Sequence, residues 1–134
     1  MIASTPIVTA YCSAHPYTHL CLYNIDSGFS VVTKTGTGEG WNLTVPEEYA
    51  QKVAAFLYEA CPDTALEWRI GWLKKIHLAC AQSDQPGMVH LQPSVGQFLH
   101  QKLFAVPISQ SVLKEFGRKW LESHSSVRRA ATVT

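Results

Sequence analysis

The first third of the chain has three short segments dominated by β-branched and aromatic residues. They span residues 7–12, 18–25 and 29–34, and Asp26-Ser27-Gly28 supplies a turn between the second and third. Apolar and polar residues alternate in the second segment, which is typical of a strand with one buried face. The pattern predicts a small antiparallel meander.

After residue 40 the apolar residues follow helical spacing instead. A first helix is predicted from near residue 45 to Cys61, because Thr44 and Glu47 match a capping box and are followed by one apolar stripe. Thr64 and Glu67 repeat the capping pattern before a longer predicted helix over residues 65–82. Two apolar stripes make this second helix the central one, and Arg69 falls within its apolar arc.

Two further helices are predicted near the C-terminus. One begins near Ser94 and contains Val95, Phe98, Leu99 and Leu103; the other is capped by Ser109 and buries Val112, Leu113, Phe116, Trp120 and Leu121. Residues 124–134 lack a periodic pattern and are predicted to form a flexible tail. The expected fold is therefore a single α+β domain over residues 1–123, with about three N-terminal strands packed against about four helices.

Composition fits an ordinary globular domain of 134 residues, with 46% apolar and 16% charged residues. The N-terminal residues lack the basic start of a secretory signal, and no apolar run approaches the roughly 20 residues of a membrane span. We therefore expect a cytoplasmic protein with reduced cysteines. The net charge of +1 conceals a basic end, since residues 101–134 hold six basic and two acidic residues.

The cluster of Trp68, Arg69 and Trp72 gives the main functional hypothesis. Tryptophan and arginine contribute most to binding energy at protein interfaces, and the predicted helix places these three side chains together. No nucleophile, base and orienting group occur together convincingly, so no catalytic residue is assigned. The sequence predicts a non-catalytic, regulatory protein-binding module, with another protein as partner and no membrane association.

The two C-terminal helices suggest nucleic-acid binding as an alternative. Joined by residues 105–108, they outline a helix-turn-helix whose second helix and tail carry residue types that contact phosphates and bases. The residues that would bind DNA or RNA are Gln110, Lys114, Arg118, Lys119, Arg128 and Arg129.

A zinc-stabilised domain is the second alternative, and zinc is the single cofactor that the sequence suggests. Four residues of the two types that zinc prefers, cysteine and histidine, occur within ten residues in the first predicted strands, namely Cys12, His15, His19 and Cys21. Their spacing differs from that of common zinc modules. Tetrahedral binding would require Cys12 to face the same side of the sheet as His19 and Cys21.

Overall fold

The computed structural model describes residues 5–12, 18–35, 40–72, 74–96 and 101–133, with side chains described as far as Ser123. Within these residues the chain forms two antiparallel sheets, each followed by a helix. The elements are β1 (Val8–Tyr11), β2 (His19–Ile25), β3 (Gly28–Lys34), β4 (Asn42–Pro46), α1 (Glu47–Glu59), β5 (Thr64–Ile70), β6 (Lys74–Gln82), β7 (Met88–Gly96), β8 (Gln101–Lys102), β9 (Val106–Ser109) and α2 (Gln110–Val133).

The predicted proportion of strands to helices is wrong. The domain is α+β, but the described residues form four strands in one sheet and five in the other, with two helices. The predicted helix over residues 65–82 is the hairpin β5–β6. The described ends of the helix predicted from Ser94 belong to β7 and β8, whereas Phe98 and Leu99 lie outside the described residues. The first and last predicted helices correspond to α1 and α2.

The N-terminal sheet, β1 to β4 in chain order, is a meander with one fully buried face. Val8, Leu22, Val31 and Leu43 lie in one row across its four strands, and all are buried. The β2–β3 turn ends at Gly28, where φ is 149° and an added Cβ would lie 2.2 Å from the carbonyl oxygen of Val45. Glycine therefore permits the turn to pack against β4.

Helix α1 begins where this turn meets the end of β4. Pro46 is its N-cap residue, and the first helical amide, that of Glu47, donates to the carbonyl oxygen of Ser27 at 3.2 Å. The β2–β3 turn thus supplies the partner that a capping side chain would otherwise provide. At the other end, Ala60 adopts a left-handed conformation and reverses the chain toward β5.

The C-terminal sheet contains a proline in an inner strand, and the neighbouring strand breaks beside it. The carbonyl oxygen of Pro93 accepts from the Leu103 amide at 2.9 Å, so residue 93 faces the β8–β9 side, where proline has no N–H to donate. The side-chain amide of Gln92 donates to the Leu103 carbonyl oxygen instead, at 2.9 Å. Ser94 pairs with Lys102 and Leu91 pairs with Val106, so the partner segment has one more residue than β7 between these two pairs. This extra residue is a β-bulge.

Both sheets and both helices contribute to one hydrophobic core. Helix α2 packs its stripe of Leu113, Phe116 and Trp120 inward, and the Trp120 ring lies 5.4 Å from that of Phe29. Where α2 crosses α1, Gly117 approaches the α1 backbone so closely that a Cβ there would lie 2.4 Å from the amide nitrogen of Tyr58. The two helices are therefore fixed against each other over the inner faces of the sheets.

Candidate protein-binding surface

The β5–β6 hairpin carries the largest exposed side chain of the described residues at its turn. Arg69 pairs with Lys75 and Ile70 with Lys74, and Gly71 follows β5 with φ of 65°. Glycine adopts this left-handed conformation readily, so it allows the chain to reverse. Trp72 comes next and is 80% exposed. The turn therefore presents an indole to solvent.

The two tryptophans of this hairpin have opposite environments. Trp68 lies on the inner face of β5, is 2% exposed, and donates from Nε1 to the Thr44 carbonyl oxygen at 2.9 Å. This bond joins β5 to β4, so Trp68 connects the two sheets. Arg69 is next in the strand and points to the outer, exposed face. Of the three predicted partner-binding residues, Arg69 and Trp72 are accessible, whereas Trp68 belongs to the core.

The outer face beside Trp72 is positively charged. Arg69 and Lys75 are directly opposite each other on neighbouring strands, an arrangement in which like charges repel. Lys75 Nζ lies 3.0 Å from a carboxylate oxygen of Glu67, whereas Arg69 makes no ion pair with any carboxylate among the described residues. Lys74 is exposed beside the turn, but it pairs with Ile70 and so lies on the opposite face of the strands from Arg69 and Lys75. We call Arg69, Trp72, Lys74 and Lys75 the hairpin surface.

Sequence reasoning missed Lys74 and Lys75 as members of this surface. The helical interpretation placed Lys74 on the opposite side of the helix from Arg69, whereas the hairpin places it beside the turn and opposite Ile70, the residue that follows Arg69. The signal that could have found both lysines is the two-residue alternation of apolar positions on either side of Gly71.

The outer face of the C-terminal sheet also aligns an acid, an imidazole and a hydroxyl. Glu67, His77 and Ser94 are cross-strand neighbours on β5, β6 and β7. A nucleophilic serine needs a hydrogen-bonded base that is in turn held by a third group. No hydrogen bond between these three side chains occurs in the described part of the chain, and Glu67 pairs with Lys75. This row therefore gives no support for catalysis.

The structure separates the residues of the predicted zinc site. Cys12 is buried in the core on the inner side of the N-terminal sheet, whereas His19 and Cys21 lie on the outer face of β2. Cys21 Sγ lies 3.9 Å from Thr9 Oγ1, and the His19 ring lies 5.5 Å from that of Tyr11. His15 lies outside the described residues. Within the described ranges, no group of three or more metal-binding side chains is present.

The predicted nucleic-acid interface loses its first helix, because Ser94 to Gly96 belong to β7 and residues 101–102 form β8. In α2, Gln110 donates from Nε2 to the Ala60 carbonyl oxygen at 2.8 Å, so it tethers the helix start. Arg118 forms ion pairs with Glu115 and Glu122, and its guanidinium lowers the pKa of the Glu115 carboxyl. Lys114 and Lys119 are exposed, and the side chains of Arg128 and Arg129 lie outside the described residues.

The cysteines differ in accessibility, which predicts their reactivity. Cys61 is exposed, whereas Cys12, Cys21 and Cys80 are buried. Burial raises the pKa of the Cys12 and Cys80 thiols from 9.0 to about 11, so these groups stay protonated at neutral pH. We expect iodoacetamide at a pH of about 8 to modify Cys61 first, with the buried thiols reacting after unfolding in urea. Peptide mass spectrometry over time would check this, and early modification of Cys12 would contradict it.

The same shifts predict a loss of stability in alkali. These thiols have a pKa of 9.0 in the unfolded chain, but burial raises their pKa to about 11 in the folded protein. The unfolded state therefore loses protons first, and stability falls as pH rises from about 9 to about 11. Urea midpoints at several pH values would show the fall, and a variant with alanine at both positions should show a smaller one.

Searches with models of protein families give no match, and no curated protein is significantly similar to the chain in sequence. No helix in the described ranges is both long and apolar enough to cross a membrane.

Proposed function

We propose that this domain is a small, non-catalytic module that binds another protein through the hairpin surface. The observation that carries the proposal is the 80% exposure of Trp72 at the turn of the hairpin. The other tryptophan of the hairpin, Trp68, is buried in the core. A tryptophan buries about 200 Å² when it is covered, and single indoles of this kind act as anchors at interfaces.

The pairing of the hairpin strands supports the same function. Seven residue pairs join β5 to β6, and Trp68 fastens β5 to β4 through its hydrogen bond. Arg69 thus lies on a strand that is already folded, and Trp72 lies only two residues beyond the last paired residue of that strand. Binding then costs less conformational entropy than it would on an unstructured loop.

Site-specific photocrosslinking tests the proposal. We expect a photoreactive phenylalanine analogue at position 72 to give a discrete protein adduct in cells, and unlabelled wild-type domain to compete for it. The Trp72→Ala variant should compete at least about 10-fold less well, because the anchor is missing.

Tyr58 gives a matched control position, because it is an aromatic residue of α1 that is 46% exposed. The same analogue at position 58 should not give that adduct. Equal labelling from both positions, or undiminished competition by Trp72→Ala, would contradict a hairpin-directed interface. Turnover in a substrate screen would contradict the non-catalytic assignment.

A further inference from the structure

We infer that the partner presents an acidic segment to the hairpin surface, with carboxylates for Arg69 and Lys75 and an apolar recess for Trp72. This inference rests on the proposed function and specifies the chemistry of its partner. It starts from charge: the strands beside the turn carry Arg69, Lys74 and Lys75 against the single carboxylate of Glu67. The surface is therefore more positive than the chain as a whole, whose net charge is +1.

The position of Arg69 indicates where a carboxylate would bind. Its Cβ and that of Lys75 are about 5 Å apart, as for any directly opposed cross-strand pair, so one anion can contact both side chains. Without an anion the two cations repel each other, and Arg69 has no carboxylate partner among the described residues. A bound acidic group would remove this repulsion.

The existing ion pair does not prevent such binding. Lys75 and Glu67 have side-chain exposures of 36% and 45%, so their interaction is screened by water. Exposed pairs of this kind contribute little and exchange partners readily. A carboxylate of the partner can therefore share or replace Glu67 as a ligand of Lys75.

The size of the charged patch favours a protein over other polyanions. Membrane-binding basic clusters usually hold four to eight lysines or arginines, and DNA-binding proteins neutralise about six to ten phosphates. The end of the hairpin holds three cations, partly balanced by Glu67: Arg69 and Lys75 lie on the outer face, and Lys74 lies beside the turn on the opposite face. A protein segment with two or three carboxylates next to an apolar recess matches this patch better than a membrane or a nucleic acid does.

Selection from a displayed library of random peptides, about 12 residues long, tests the inference on the full chain. We expect the selected peptides to be enriched in aspartate and glutamate and to lose at least about 10-fold in affinity for Arg69→Gln/Lys75→Gln. The charge-reversed variant Arg69→Glu/Lys75→Glu should select basic peptides instead. Trp72→Ala should weaken binding of the acidic peptides about 10-fold without changing their acidic preference.

Lys114→Glu/Lys119→Glu is the matched control, since it reverses two exposed charges on α2, away from the hairpin. This variant should still select acidic peptides, and all variants should keep the wild-type circular dichroism and melting temperature. Peptides that need Trp72 but show no acidic enrichment would overturn the acidic partner and leave the proposed function standing. A complete absence of Trp72-dependent peptides would count against the proposed function itself.

Two direct binding measurements compare an anionic membrane and a nucleic acid with the acidic peptide. Vesicles of phosphatidylcholine with phosphatidylserine, and single-stranded DNA, are titrated under the same conditions as the best acidic peptide. We expect both to bind more weakly than the peptide. Tighter, Trp72-dependent binding of either would overturn the inference in favour of a membrane or a nucleic acid.

Discussion

Gly117→Ala should destabilise the domain by about 3 kcal/mol, although the same change in an unpacked helix stabilises it by up to about 1 kcal/mol. The added Cβ would lie 2.4 Å from the Tyr58 amide nitrogen and 2.8 Å from the Ala54 carbonyl oxygen. Both are backbone atoms, so no side chain can rotate away. The helices would have to move apart, and the buried contacts of Phe116 and Trp120 beside the crossing would loosen.

Urea unfolding of Gly117→Ala beside wild type measures this effect. Ser111→Ala is the control, since Ser111 is exposed in the same helix and alanine there should change stability by less than about 0.5 kcal/mol. A Gly117→Ala protein as stable as wild type would contradict the close approach of α1 and α2.

The elements that the sequence predicts well are those in which turn chemistry and hydrophobic spacing agree. The turn at Asp26-Ser27-Gly28 and the apolar alternation before it correspond to the β2–β3 hairpin. The spacing of Leu113, Phe116 and Trp120 corresponds to the buried stripe of α2. In both segments local preference and tertiary packing favour the same structure, so local reasoning suffices.

Residues 64–82 show why the rest could not be predicted in this way. Their apolar residues fit helical spacing, but Leu66, Trp68 and Ile70 also alternate every second residue, as do Ile76, Leu78 and Cys80. Thr64 resembled a helix cap, yet its Oγ1 donates back to the Cys61 carbonyl oxygen at 2.6 Å. Cross-strand pairing decides between the two periods, and it depends on distant residues such as Thr44, the acceptor of Trp68.

The end of β7 illustrates a second limit. Val95 and Leu103 lie eight residues apart and fitted one helical stripe, but they belong to opposite sides of the β7–β8 connection. The proline at position 93 argues against an inner strand. The side-chain amide of Gln92 replaces the backbone N–H that proline lacks, and no local sequence pattern predicts this contact.

The sequence singles out Trp68, Arg69 and Trp72 as a candidate surface, but the helical geometry predicted for them is wrong. Trp68, Arg69 and Trp72 do lie near one another, but a helix would have placed both tryptophans beside the arginine on one face. In the hairpin the inner and outer faces alternate, so Trp68 and Arg69 point to opposite sides and Trp72 occupies the turn. The lysines that complete the surface follow from the pairing of β5 with β6.

Trp68→Ala should therefore cost about 4 kcal/mol of stability, whereas Trp72→Ala should change stability by less than about 0.5 kcal/mol. Trp68 is 2% exposed and joins β5 to β4, so its removal leaves a cavity and an unpaired Thr44 carbonyl oxygen. Trp72 is 80% exposed and contributes little to folding. Thermal and urea unfolding of the two variants would show the contrast, and equal losses would contradict the assignment of core and surface roles.

Phenylalanine substitutions separate the hydrogen bond of Trp68 from its packing. Trp68→Phe keeps an aromatic ring but loses the bond to Thr44, which should cost about 1 kcal/mol more than the loss of volume alone. Trp120 provides the comparison, because its Nε1 is buried without a hydrogen-bond partner in the described part of the chain. Trp120→Phe removes no bond and relieves an unpaired donor, so it should be the milder change. If Trp120→Phe proved the more harmful of the two, the Trp68 bond would not be what fastens the hairpin to β4.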